Sequence, residues 1–313
     1  MSELIPSSAH FADRLLNAVA AKNSVVCVGI DPMPEFFPNE LLPRSQDPRD
    51  VLDCVFRFCQ EVLRAVEPFA ACVKFQSAYF EVFHGDGVEA YHSLVQEAAD
   101  LGMVTIGDVK RGDIGTTSAA YARAHLAPID EDHGGDGDLA TPDAITISPF
   151  LGLDTIDPFI AAASEHAKGL FVLVRTSNPG SSLLQDAMLA DGRTVSEKLA
   201  DELSAVAAKH LGQSGYSSIG AVVGATQPQT MVSLRKRLPQ SLFLLPGYGA
   251  QGATADMTRS AFTGGQGAVV SASRSVLYAH RETKYSHFTD FRVAIAQAAK
   301  DMRSDLNNVL GRA

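Results

Sequence analysis

The chain has 313 residues, with 26 Lys and Arg against 36 Asp and Glu, a formal net charge of −10. Hydrophobic residues make up 46% and charged residues 20%, an ordinary globular composition with enough apolar material for a large core without disulfide staples. The acidic balance, without a dense basic run, argues against a nucleic-acid partner, and no window reaches the apolar length of a membrane span.

The opening residues, MSELIPSSAHFADRL, lack a basic segment followed by an apolar one, so an untargeted, cytoplasmic protein is expected. Beyond them, short β-rich apolar runs alternate with longer stretches of helical spacing. The strand candidates are residues 25–30, 71–75, 103–108, 144–147, 169–174, 219–223, 242–245 and 267–271. Helical patterns cover 51–66, 88–101, 118–126, 155–166, 195–211, 229–238 and 285–306. The first of these places Val51, Leu52, Val55, Phe58, Cys59, Val62 and Leu63 on one face. Cys27, Cys54, Cys59 and Cys72 form no CxxC pair and fit neither a disulfide framework nor a zinc site, in keeping with a reducing compartment.

Two irregular insertions are expected. Residues 32–50 are rich in Pro, Phe and Asp, and residues 130–142 are acidic and Gly-rich. The second stretch invites a calcium-loop reading, but its ligand spacing does not fit an EF-hand, and a solvated loop is expected. No linker divides the chain, so a single domain is expected. Eight βα alternations predict an α/β fold with a parallel sheet and outer helices. A closed (β/α)8 TIM barrel is favoured over an open doubly wound sheet, because polar residues fall at the C-terminal ends of several strands rather than around one switch point.

The densest of these polar strand ends is GDVKRGDIGTT, residues 107–117. Residues two apart on a strand share a face, so Asp108 and Lys110 lie together, and Gly112 lets the chain turn before Asp113. Asp31 ends the first strand run and Lys74 lies near the end of the second. On a barrel these tips converge, and Asp31, Lys74, Asp108, Lys110 and Asp113 are candidates for one alternating charge network. Any one of them alone would be read as an ordinary ion pair. Five poorly solvated charges together are costly unless each is paired, and such networks concentrate at functional sites. After the seventh and eighth strands come LPGYGAQG and SASRS, the latter containing Arg274. A Gly-rich loop followed by an Arg at the next strand end suits a phosphate, whose oxygens match the planar guanidinium fork. VRTSNPG, residues 174–180, has the small polar residues of a loop that can close over a ligand.

The segment Asp108-Val109-Lys110-Arg111-Gly112-Asp113 resembles the D-x-K-x-x-D signature of the orotidine 5′-phosphate decarboxylase family. VKFQSAYFE, DVKRGDIGTT and LVRTSNPG are similar to its longer bacterial branch (type 2), nearly along the whole chain. The resemblance implies a homodimeric lyase that converts orotidine 5′-phosphate to uridine 5′-phosphate (UMP) and CO2, the last step of de novo pyrimidine biosynthesis. It implies that Lys110 is the proton donor, Asp108 and Asp113 the two aspartates of the motif, and Lys74 the lysine between them. Asp31 would bind the ribose hydroxyls, Ser177 the pyrimidine, and Gln251 and Arg274 the phosphate. Asp113 and Thr117 would be lent across the dimer interface to the neighbouring site. No signature of a metal, pyridoxal phosphate or thiamine site is found, and no cofactor is expected. Two readings compete. Related sugar-phosphate decarboxylases keep a similar strand but use magnesium and usually an acidic residue where Lys74 stands. A non-catalytic nucleotide sensor would keep the phosphate grip and lose Lys110 or Asp108.

Overall fold

A computed structural model describes residues 10–128 and 140–312. The eight apolar runs pair in sequence order, every pair parallel, and the first strand closes on the last to form a barrel. The strands are β1 (Val26–Ile30), β2 (Cys72–Gln76), β3 (Val104–Arg111), β4 (Ala144–Ile147), β5 (Gly169–Arg175), β6 (Ser217–Val223), β7 (Ser241–Pro246) and β8 (Ala268–Ala272). They are buried almost throughout, as expected where side chains fill the barrel on one face and helices cover the other. Several strands run further than their apolar residues alone suggested. β3 continues through Asp108 to Arg111 and β5 continues to Arg175, so both carry charges at their C-terminal tips.

The seven helical patterns are helices, with ends shifted by a few residues. The helix expected from residue 51 is Pro48–Val66, because Asp47 accepts from the Arg49 N–H at 2.9 Å and Pro48 suits the first helical position. The last is Phe291–Leu310, capped by Asp290 at its start and by Gly311 at φ 64° at its end. The expected irregular stretch 32–50 holds two short 3-10 turns, Pro34–Phe36 and Asn39–Leu41, before the Pro48 helix begins. Of the acidic stretch 130–142, residues 130–139 lie outside the described residues.

Among the described residues, one α-helix longer than four residues lies outside the seven expected patterns. Phe11–Ala21 packs across the N-terminal ends of the strands, as its partners show. Arg14 pairs with Asp143, just before β4, and Asp13 accepts from the Gln213 and Ser214 N–H groups, just before β6. Phe11 lies on Gly169, where a Cβ would come within 2.1 Å of the ring, and meets Phe171 edge-on at 5.9 Å. This closes the bottom of the barrel and leaves the C-terminal face open. No helix among the described residues is long and apolar enough to cross a membrane.

Candidate active site

The open face holds a cavity of ≈ 400 Å³, reached by residues from the ends of most strands. That volume suits a small organic ligand. Asp108 is its electrostatic centre. Its Oδ2 accepts from Lys74 Nζ at 2.8 Å and Gln76 Nε2 at 3.1 Å. Its Oδ1 accepts from Lys110 Nζ at 2.5 Å and Thr146 Oγ1 at 2.9 Å. Two donors on each oxygen saturate a carboxylate. β2 and β3 pair with Gln76 opposite Asp108, which explains why side chains of both strands meet there.

Burial alone would raise the pKa of Asp108, but the ammoniums of Lys74 and Lys110 outweigh it and hold the carboxyl well below its usual range. Burial alone would lower the pKa of Lys74, but the charges of Asp108 and Asp31 outweigh that and push it up. Both groups are therefore ionised at neutral pH. Lys110 differs from Lys74 in exposure: its side chain is 46% accessible against 7%. One ammonium is locked beneath the site and the other reaches into it.

Local backbone geometry aims Lys110. Its φ is 46°, in the left-handed region that side chains other than Gly, Asn and Asp seldom enter. The register between β3 and β4 shifts between Gly107 and Arg111. The Thr146 hydroxyl accepts from the Lys110 N–H at 3.0 Å while donating to Asp108, so one side chain holds both the strained backbone and its counter-charge. Strain of this kind persists where surrounding structure over-determines it, commonly at functional sites.

Asp31 stands 3.8 Å from Lys74, and its buried Oδ1 accepts no hydrogen bond among the described residues. A carboxylate at a cavity wall is suited to a ligand hydroxyl, and Asp31 lines this cavity. Its backbone is fixed by Tyr278, whose hydroxyl donates to the Asp31 carbonyl at 2.8 Å and accepts from the Met33 N–H at 2.7 Å. On the far wall, the loop after β7 turns through Gly247, Gly249 and Gly252, all with positive φ, and brings Gln251 to the cavity. Tyr248, the bulky residue in that loop, donates to Asp305 at 2.6 Å and ties the loop to the Phe291–Leu310 helix. Arg274 enters from the end of β8 and Ser177 from the loop after β5.

That last loop is bolted from beneath by Arg175, which is 3% exposed. Its guanidinium forms a fork to Asp186 at 2.9 and 2.8 Å, and also donates to the Thr176 carbonyl at 2.7 Å and to Ser181 Oγ.

Of the residues singled out from sequence, Asp31, Lys74, Asp108, Lys110, Ser177, Gln251 and Arg274 line this one cavity. Asp113 and Thr117 do not. Asp113 follows the turn at Gly112 and its Oδ1 accepts from the Ile114 N–H at 2.8 Å. No ion pair between described residues joins Asp113 to Lys110, so the five-charge network has four members within one chain. Thr117 is exposed on the first turn of the Gly115–Leu126 helix, beside Ile114, which is 62% exposed. Gln76, Thr146, Arg175 and Tyr278 were not singled out from sequence. Gln76 could have been, since it lies two residues beyond Lys74 on the same face of β2.

A profile of the orotidine 5′-phosphate decarboxylase / HUMPS family matches residues 24–285. The chain belongs to this family. Two names stand in the family description, and individual relatives narrow them. The chain is 40% identical to the orotidine 5′-phosphate decarboxylase of Rhodopirellula baltica over 90% of its own length and 92% of the relative's. It is 38% identical to that of Clostridium perfringens strain SM101, over 86% of this chain and 89% of the relative. A solved structure from Streptomyces avermitilis with the same enzyme name superposes with a TM-score of 0.79 at 35% identity, covering 98% of each chain.

Proposed function

We propose that this chain catalyses the decarboxylation of orotidine 5′-phosphate to UMP and CO2, the last step of de novo UMP synthesis. The observation that carries this reading is the pair of lysines on Asp108, one buried and one reaching into a cavity that also presents Asp31, Ser177, Gln251 and Arg274. The bond from pyrimidine C6 to the carboxylate breaks, CO2 departs, and the electron pair stays on C6. No ring carbonyl delocalises that pair, so catalysis rests on preorganised charge. The Lys110 ammonium lies beside C6, stabilises the developing charge and donates its proton there; solvent then reprotonates the amine. Asp108 keeps Lys110 charged and fixed, and Lys74 does the same for Asp108. The Asp31 carboxylate takes the ribose hydroxyls, Ser177 the pyrimidine, and Gln251 with Arg274 the phosphate. Remote phosphate binding contributes energy that can be realised in the transition state.

The reading includes a homodimer in which Asp113 and Thr117 complete the neighbouring site. It is supported by their absence from their own chain's cavity and by their position beside the exposed Ile114. It also takes the chain as one domain acting in the cytoplasm, in keeping with four cysteines that are all free and buried. The mechanism needs no cofactor. A magnesium-dependent sugar-phosphate reaction is disfavoured because Lys74, a cation 2.8 Å from Asp108, stands where such enzymes usually carry an acidic residue. The test is the loss of orotidine 5′-phosphate absorbance with purified protein and excess chelator. Turnover that resists the chelator supports the reading. Turnover of sugar phosphates alone, abolished by the chelator, would overturn it.

A further inference from the structure

Behind the glycine loop lies a second cavity, of ≈ 620 Å³, whose lining includes Ala250, Arg274, Arg281, Glu282 and Lys284. Ala250 and Arg274 also line the candidate active site, so the two cavities share a wall. Three of these residues are cations and one is a carboxylate, in a chain whose net charge is −10. A locally positive recess on an acidic protein selects anions. Arg281 is held in place and Lys284 is mobile enough to reorient. Arg281 donates to the Glu35 carbonyl at 3.0 Å and lies 4.7 Å from the centre of the Phe36 ring, and among the described residues it forms no ion pair. Lys284 lies 2.6 Å from Asp301 and 4.9 Å from the Tyr285 ring centre, 66% exposed and able to turn toward an incoming anion.

Ala250 and Arg274 thus connect the candidate active site with the recess that holds Arg281 and Lys284. We propose that this recess binds the terminal phosphates of pyrimidine nucleoside 5′-di- and triphosphates whose nucleoside occupies the active site. These nucleotides then compete with substrate more strongly than the monophosphate does, an inhibition of the reaction by more highly phosphorylated relatives of its product. The inference rests on the reading of the main cavity as an orotidine 5′-phosphate site.

Inhibition constants for UMP, UDP and UTP, measured against orotidine 5′-phosphate with chelator present, test it. UDP is expected to inhibit roughly tenfold more tightly than UMP, since each charge-assisted contact adds affinity. The double variant Arg281→Gln, Lys284→Gln is expected to erase that difference while leaving kcat/KM for the substrate within about twofold, in line with charges outside the reacting centre. Equal inhibition by UMP and UDP in the unmodified protein would overturn the proposal, as would an advantage that survives in the double variant. If the substrate is not turned over and UMP does not compete, the functional reading itself fails. Calorimetric titration of UDP and of inorganic pyrophosphate into both proteins then separates a nucleotide recess from a general polyanion patch, and only UDP binding that depends on Arg281 and Lys284 supports the proposal.

Discussion

Replacing Asp108 with Asn removes one charge and leaves shape nearly unchanged. In the native site two ammoniums share that carboxylate, at 2.8 and 2.5 Å. In the variant, Lys74 is left with Asp31 at 3.8 Å while its side chain is 7% exposed. Breaking a buried pair by deleting one partner costs about 3–5 kcal/mol. The sign with pH follows from linkage. The raised pKa of native Lys74 means its stabilisation is fully present at neutral pH and is lost only as pH climbs through that raised value. In the variant, burial dominates and the pKa falls below its ordinary value. The penalty is then greatest near neutrality and relaxes as the lysine deprotonates. Urea unfolding at fixed protein concentration, at about pH 7, 8.5 and 10, is expected to show a gap of about 3–5 kcal/mol that narrows with rising pH. A gap under about 1 kcal/mol at neutrality, or one that does not change with pH, would refute the account of Asp108 as the counter-charge of both lysines.

Three further outcomes are expected. Mixing inactive Lys110→Ala and Asp113→Ala proteins should restore about a quarter of native activity, because half the random dimers are mixed and each mixed dimer has one intact site; no recovery after verified subunit exchange would place Asp113 outside the neighbouring site. Arg175→Lys keeps the charge but loses the fork to Asp186 and Ser181, so KM should rise about tenfold or more while kcat falls less; unchanged KM would show that the loop carrying Ser177 does not need this anchor. Burial, with the charges of Arg111 and His92, pushes the pKa of His125 down to about 4. Its contribution, up to about 3 kcal/mol, should be present above about pH 6.5 and be lost as pH falls toward 4. His125→Asn should flatten the fall in melting temperature across that window, and an equally steep fall in the variant would assign the effect elsewhere.

The barrel was readable because each strand is a short apolar run and each crossover keeps helical spacing, so the eight alternations survive inspection of the residues alone. The charged strand tips were readable for the same reason, since Lys74, Asp108 and Lys110 interrupt such runs at their ends. The Phe11–Ala21 helix was not, because its role depends on Gly169, Asp143 and Ser214, partners more than a hundred residues away. Thr146 is an ordinary strand threonine in sequence; only the pairing of β3 with β4, which sets Gly107 opposite Ile145, brings it beside Asp108. Arg175 was visible in the loop motif, but nothing in the spacing marks Asp186 as its partner. Asp113 and Thr117 mark the limit of a single chain, since their proposed site lies on another copy.

If Lys110 supplies both the field and the proton, replacing it with Ala removes both at once, and kinetics of Lys110→Ala beside the unmodified protein read the loss. kcat/KM is expected to fall about 10⁴-fold or more, combining lost electrostatic stabilisation with lost general-acid catalysis, while UMP affinity changes by less than about tenfold. A folded variant that keeps decarboxylation within about tenfold of native would contradict it.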